Sequence, residues 1–364
     1  MSLDALPLRE DLRGSVPYGA PQLDVAVRLN TNESSYDLPE PVALAVVEAV
    51  AREVRHLNRY PDREFTVLRE ELARYLGHDL ATEQLWAANG SNEVLLQVLQ
   101  AFGGPGRTAL GFTPAYSMHP IITATTSTAW VDGRRGAASG DFDLDADDVA
   151  RQVRDTDPDV VFLCSPNNPT GTALPLEVVR AAYEASGHAM VVVDEAYAEF
   201  ARAGTPSALT LLPGRPRLVV TRTMSKAFAF AGARVGYLAG DPAVCDALRL
   251  VRLPYHLSSL TQAAAVAALR QAPVLLGTVA AIRAQRDRIV AALPGLGVQP
   301  VPSDANFVLF GGLADAAATW RDLLEHGVLV RDVGLPGYLR VTAGTPDETT
   351  AFLTALAATL EESR

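Results

Sequence analysis

The sequence predicts an α/β protein: a mainly parallel sheet covered by helices on both faces, joined to a smaller α+β part. Two observations carry this. Short β-branched runs alternate with helix-like stretches over the first two thirds of the chain, and near residue 255 the pattern gives way to a long helical region followed by short strands and a last helix.

Taken in order, "WAANGSNEVLLQVLQAF" places a small polar turn, Asn89 to Asn92, directly before a helix. The strand-like runs follow as "TALGF" (108–112), "DVVFLCS" (159–165), "MVVVDEA" (190–196), "RLVVTRT" (217–223) and "RVGYLAG" (234–240). Between them lie helical patterns such as "PLEVVRAAYEAS" (175–186), the alternation of a sheet with crossover helices. After residue 255, "SSLTQAAAVAALRQAPVLLGTVAAIRAQRDRIVAAL" reads as helix, "NFVLF", "GVLVRDV" and "YLRVTAG" as strands, and the C-terminus as helix.

Composition narrows the function. A chain of 364 residues, 48% hydrophobic and 20% charged, can bury more than one core. A net charge of -11 with pI about 5.1 disfavours nucleic acid and anionic membranes as partners, so any anionic ligand needs a local cationic cluster. Cys164 and Cys245 form no CxxC pair, which favours a reducing compartment and a cytoplasmic location. The first residues lack the apolar core of a signal peptide, and no window has the apolar length of a membrane span. No repeat is visible and no metal site is expected.

In a doubly wound sheet the ligand crevice lies beyond the carboxyl ends of the strands, so chemistry is expected just after each run. There stand "PNNPTGT", "DEAY" and "TRTMSK", with Arg234 eight residues past Lys226. Singly, each has an ordinary explanation: a snorkelling lysine, a turn, a cap, core tyrosines. Together they supply what one cofactor, pyridoxal 5'-phosphate, requires. Free N–H groups at Ser91 and Asn92 on a helix start receive a phosphate, Thr223 and Ser225 add hydroxyls, and Arg234 adds a charge-assisted contact. Asp194 pairs with the pyridine nitrogen, Asn168 and Tyr197 hydrogen-bond the ring hydroxyl, and Tyr116 stacks on the ring. Lys226 is the amine that closes on the cofactor aldehyde and afterwards moves a proton between substrate and cofactor carbons, which is transamination.

"LNRYPD", "AANGSNE", "YSMHP", "SPNNPTGT", "VVDEAYAEF", "TRTMSKAFAFAGARVGY", "VRLPYHLSS", "DANFVLF" and "VLVRDVGLPGYLRVTAG" together resemble the fold type I pyridoxal-phosphate aminotransferases, and within them the histidinol-phosphate aminotransferase family, in an actinobacterial-like version. The resemblance covers nearly the whole chain. It implies a seven-stranded large-domain sheet and a division into an N-terminal segment (1–40) packing with the small domain, a large cofactor-binding domain (41–255) and a small domain (256–364). It implies a homodimer in which Tyr60 reaches the partner's cofactor phosphate, with Tyr18, Arg331 and Arg340 on the substrate. The implied reaction is ping-pong transfer from histidinol phosphate to 2-oxoglutarate, returning glutamate, in histidine biosynthesis. Ser34 and Ser35 stand where the family has Asn and Pro, near the cleft entrance in relatives. This keeps an aromatic amino-acid or specialised-metabolism aminotransferase as the alternative, with a decarboxylase on the same fold further off. A ligand-sensing module of a transcription regulator is disfavoured by the acidic charge and by a pattern that starts near residue 10. The roles of His256 and Cys164 are left open.

Overall fold

The computed structural model describes residues 5–14, 17–136 and 142–362. Strand β1 (Val27–Arg28) is followed by helices α1 (Glu40–Val54) and α2 (Thr66–Leu76). Then come β2 (Leu85–Ala88), α3 (Ser91–Phe102), β3 (Thr108–Thr113), α4 (Met118–Thr125), β4 (Ala129–Arg134), α5 (Ala146–Thr156), β5 (Val160–Cys164), α6 (Leu176–Ala185), β6 (Met190–Asp194), β7 (Leu218–Thr223) and β8 (Gly236–Ala239). The chain continues through α7 (Pro242–Val251), α8 (Ser259–Arg270), α9 (Ala272–Ala292), β9 (Gln299–Pro300), β10 (Phe307–Gly311), α10 (Ala316–Glu325), β11 (Val328–Leu329), β12 (Arg331–Asp332), β13 (Leu339–Thr342) and α11 (Pro346–Glu362).

Seven strands form the main sheet in the order β2-β8-β7-β6-β5-β3-β4, with β3 to β7 mutually parallel and β8 antiparallel to both its neighbours. Every residue of β5 and β6 is buried, as their valine-rich runs require of strands covered on both faces. From β3 the chain moves outward to β4 and then returns to β5 on the other side, a reversal that opens a crevice at the carboxyl ends. Because β8 runs the other way, its beginning lies at that same end.

Four strands are additions to the sequence expectation: β2 and β4 in the main sheet, and the two-residue β1 and β9 outside it. At four residues, β2 reads as a lead into the polar turn, and β4 is an edge strand with mostly exposed or half-exposed side chains, so it lacks an apolar run. "GVLVRDV" also splits: β11 pairs in parallel with β1, whereas β12 joins an antiparallel sheet of order β12-β13-β10-β9. The long helical region is likewise two helices, bent by 74° where Pro273 opens α9. Helix α8 packs on α1 and α2, and α9 reaches the smaller sheet and α11. No single helix among the described residues is long and apolar enough to cross a membrane.

The N-terminal segment crosses between the two sheets. Leu29 donates its N–H to the Leu329 carbonyl at 2.8 Å and accepts from Thr342 N at 2.9 Å, so residues 30–33 are laid along the crevice. Arg286 of α9, fully buried, donates to the Phe200 and Ala305 carbonyls at 2.8 and 3.2 Å and ties the smaller sheet to the loop after β6.

Candidate active site

A cleft of about 570 Å³ opens at the carboxyl ends of β3, β5, β6 and β7. Thirteen of the residues singled out in the sequence line it: Tyr18, Ser91, Asn92, Tyr116, Asn168, Asp194, Tyr197, Thr223, Ser225, Lys226, Arg234, Arg331 and Arg340. Tyr60 does not. It is 78% exposed and stacks on Tyr255 at 4.3 Å between ring centroids, on a different surface.

One end of the cleft is a phosphate-sized cradle. Ser91 and Asn92 open α3, and as first-turn residues their N–H groups have no partner within the helix. Gly90 holds φ at 85°, and a Cβ there would collide with the Arg234 guanidinium; a Cβ at Gly236 would overlap the Ser91 nitrogen. Arg234 itself adopts a left-handed φ of 56° and donates to Ser225 Oγ at 3.4 Å. Thr223 Oγ1 donates to Ser225 Oγ at 2.9 Å and accepts from Ser225 N at 3.1 Å, which links the two hydroxyls on the cleft wall. Close backbone approach, converging N–H groups and an arginine fit a phosphate dianion.

Asp194 ends β6 and is 1% exposed. Its Oδ2 accepts from His119 Nε2 at 3.1 Å and its Oδ1 from Thr221 Oγ1 at 3.3 Å. A carboxylate only accepts, so His119 carries its proton on Nε2. The ring is fixed by stacking on Phe162 at 4.8 Å and by the edge of Tyr116 at 5.4 Å. His119 is a positioning residue absent from the sequence reading; its presence in "YSMHP", one helix away, gave no signal of contact with Asp194.

Tyr197 OH accepts from Asn32 Nδ2 at 3.0 Å and from Asn168 Nδ2 at 3.4 Å, and Tyr116 OH donates to Asn92 Oδ1 at 3.3 Å. Burial pushes both phenols up, so they keep their protons. Lys226 Nζ donates to the Thr31 carbonyl at 3.0 Å. Burial of its head group first, then the Arg340 and Arg234 charges, lower the ammonium to about 8 against the opposing pull of Glu33. The loop carrying it is anchored by Arg222, which pairs with Glu195 at 2.7 Å and Glu199 at 3.4 Å beneath the sheet; Glu195 therefore serves the scaffold, a role the motif "DEAY" does not reveal.

The other end of the cleft is cationic. Arg331 and Arg340 face each other directly across β12 and β13. Arg340 is 6% exposed, donates to Asn168 Oδ1 and to the Asn30 carbonyl, and lies 5.0 Å from the Phe307 ring; its Nε has no partner and no carboxylate pairs with it among the described residues. Burial and the neighbouring Arg331 charge push Arg340 down to about 10. Arg331 sits over the Tyr18 ring at 5.9 Å. Like charges directly opposite on paired strands destabilise a sheet, so this arrangement calls for an anion.

Ser34 and Ser35 stay out of the cleft lining, which on this segment stops at Glu33; Ser34 Oγ is used in a local turn with Tyr36. His256 stacks on Trp86 at 5.8 Å and bonds the Ala87 carbonyl at 2.9 Å, holding the loop before α8 against β2. Cys164 is buried beneath the cleft, and burial pushes its thiol up, away from nucleophilic use.

Residues 25–356 match the family described as aminotransferase class I and II. A histidinol-phosphate aminotransferase of Paenarthrobacter aurescens is 62% identical over 361 residues, covering 99% of this chain and 96% of the relative. One from Thermobifida fusca is 59% identical over 355 residues, covering 98% and 96%. Among solved structures, histidinol-phosphate aminotransferase from Sinorhizobium meliloti in complex with pyridoxal-5'-phosphate superposes with a TM-score of 0.89 at 26% identity over the full length of both chains. Aspartate aminotransferase from Thermus thermophilus shares the fold, with a TM-score of 0.79 at 24% identity over 92% of each chain.

Proposed function

The chain belongs to the aminotransferase class I and II family, and from that premise we propose that it binds pyridoxal 5'-phosphate and transfers the amino group of histidinol phosphate to 2-oxoglutarate, a step of histidine biosynthesis. The observation that carries the substrate reading is the facing pair Arg331 and Arg340, two cations that line the cleft with no carboxylate partner among the described residues. A planar guanidinium accepts a phosphate or a carboxylate bidentately, so one pair serves histidinol phosphate and glutamate in turn.

In this reading Ser91, Asn92, Thr223, Ser225 and Arg234 hold the cofactor phosphate, Asp194 the ring nitrogen, and Asn168 and Tyr197 the ring hydroxyl. The cofactor supplies, when bound, a ring that takes up the electron pair left on the substrate carbon as its proton departs. Lys226 Nζ would hold and move the proton between the substrate carbon and the cofactor carbon; with its ammonium lowered to about 8, it exchanges protons readily near neutrality. Tyr116 and Asn168 flank the cofactor, and Thr31 receives the reacting amine on its carbonyl.

The division into segments 1–40, 41–255 and 256–364 belongs to the same reading, with α8 of the last segment lying on α1 and α2. So does a homodimer. Outside the cleft Tyr60 stacks on Tyr255, and Leu250 and Leu253, shortly before Tyr255 in the chain, are 86% and 77% exposed. Tyr60 is then available to the partner's cradle. Two free buried thiols suit the cytoplasm.

The test is single-turnover reaction of the cofactor-loaded protein with histidinol phosphate, glutamate and phenylalanine, for wild type and Arg340→Gln. Conversion by the first two, with both weakened roughly ten- to hundredfold in the variant by loss of a charged hydrogen bond, is the expected result. A preference for phenylalanine over histidinol phosphate overturns the substrate reading.

A further inference from the structure

The cleft contains two carboxylates, Glu33 and Asp332, to which the reading above gives no charge partner. Of its carboxylates, Asp194 is engaged by His119 and Thr221, and Asp332 accepts from Gly334 N at 2.8 Å beside Arg331. Glu33, which like Asp332 is exposed and forms no salt bridge among the described residues, differs in its tie to the reacting amine: its Oε2 accepts from Thr31 Oγ1 at 2.7 Å. Thr31 ties it to the reacting amine, because the same residue's carbonyl receives Lys226 Nζ at 3.0 Å, and the Glu33 charge acts on Lys226 directly. A carboxylate held among the described residues only by Thr31 Oγ1 thus stands two residues from the carbonyl that receives the amine, while Arg331 and Arg340 form a cationic pair in the same cleft.

Histidinol phosphate matches this polarity. With its phosphate on the arginines and its amine at Lys226, its imidazole is the group left to satisfy, and a ring N–H needs an acceptor in a cleft otherwise rich in donors. Glutamate in the same pose brings a second carboxylate instead, which a fixed negative charge repels. We propose that Glu33 is the specificity residue of the cleft, accepting the imidazole N–H of the phosphorylated substrate and opposing the distal carboxylate of glutamate; exposure lets its side chain turn into water during the return half-reaction. The assignment rests on histidinol phosphate being the substrate.

The experiment is single-turnover titration of the cofactor-loaded holoenzyme, wild type against Glu33→Gln and Glu33→Ala, with histidinol phosphate and glutamate each varied to saturation. The expected result is a roughly ten- to hundredfold weaker apparent Kd for histidinol phosphate, the span of a hydrogen bond to a charged acceptor, with a tighter apparent Kd for glutamate. The ratio of the two constants separates this from a structural lesion, which moves both the same way. Equal losses with both substrates, or no change in the ratio, overturn the proposal. A wild-type protein that converts glutamate but ignores histidinol phosphate instead overturns the substrate reading on which it rests.

Discussion

Lys226 is the chain's single lysine, so every ε-amine signal from this protein reports the residue placed at the centre of the site. Its ammonium lies at about 8 because its head group is buried and faces Arg340 and Arg234, with Glu33 pulling the other way. At pH 7 roughly one amine in ten is then neutral, against about one in 2,500 for an ordinary lysine near 10.4. Cofactor-free protein pulsed with acetic anhydride across a pH series, then digested and read by mass spectrometry, should show Lys226 acetylation at half its plateau rate near pH 8. A midpoint above pH 10 refutes the burial argument. Arg340→Met should raise the midpoint and Glu33→Gln lower it; no movement, or movement in the opposite sense, refutes the electrostatic attribution. Stability carries the same signature. Between about pH 8 and 10.5 the unfolded chain binds a proton that the folded chain has released, so stability of the cofactor-free protein rises with pH through this window, and the cost of holding the charge is fully present below it. The difference between 10.5 and about 8 corresponds to at most about 3 kcal/mol, and denaturant titration of Lys226→Met should lose that slope.

Two further substitutions probe the cofactor end. His119→Phe leaves Asp194 Oδ2 without its donor in a buried site; unfolding free energy should fall by about 1–3 kcal/mol, and the cofactor should dissociate faster on dialysis, whereas unchanged retention would show that His119 does not hold Asp194 in place. Gly236→Ala drives a Cβ into the Ser91 nitrogen; fluorescence titration should show weaker pyridoxal phosphate binding, and wild-type affinity in a folded variant would remove Ser91 from the cradle.

The parallel sheet was legible because its central strands announce themselves. Val160–Cys164 and Met190–Val193 are continuous apolar runs, as suits strands covered on both faces, and each leads at once into polar residues at the crevice. Strand Ala129–Arg134 was silent for the converse reason: an edge strand exposes most of its side chains and needs no apolar pattern. The bend between α8 and α9 was equally hidden, since helical periodicity continues on either side of a break marked only by Pro273.

By itself the sequence determined the chemistry on offer: a lone lysine, a carboxylate ending a buried strand, a helix start with small residues, and arginines far along the chain, each set by local rules of turns, caps and strand ends. Only the tertiary structure decided who meets whom. His119 reaches Asp194 across 75 residues, Arg340 reaches Asn168 across 172, and Lys226 reaches the Thr31 carbonyl across 195. The like-charged facing of Arg331 and Arg340 arises from strand register, and the place of Glu33 in the cleft from the path of residues 27–33 past β11 and β13. Local propensity carries no information about such pairs, because they form where separately stable elements pack, and their distances follow from the packing of the whole core.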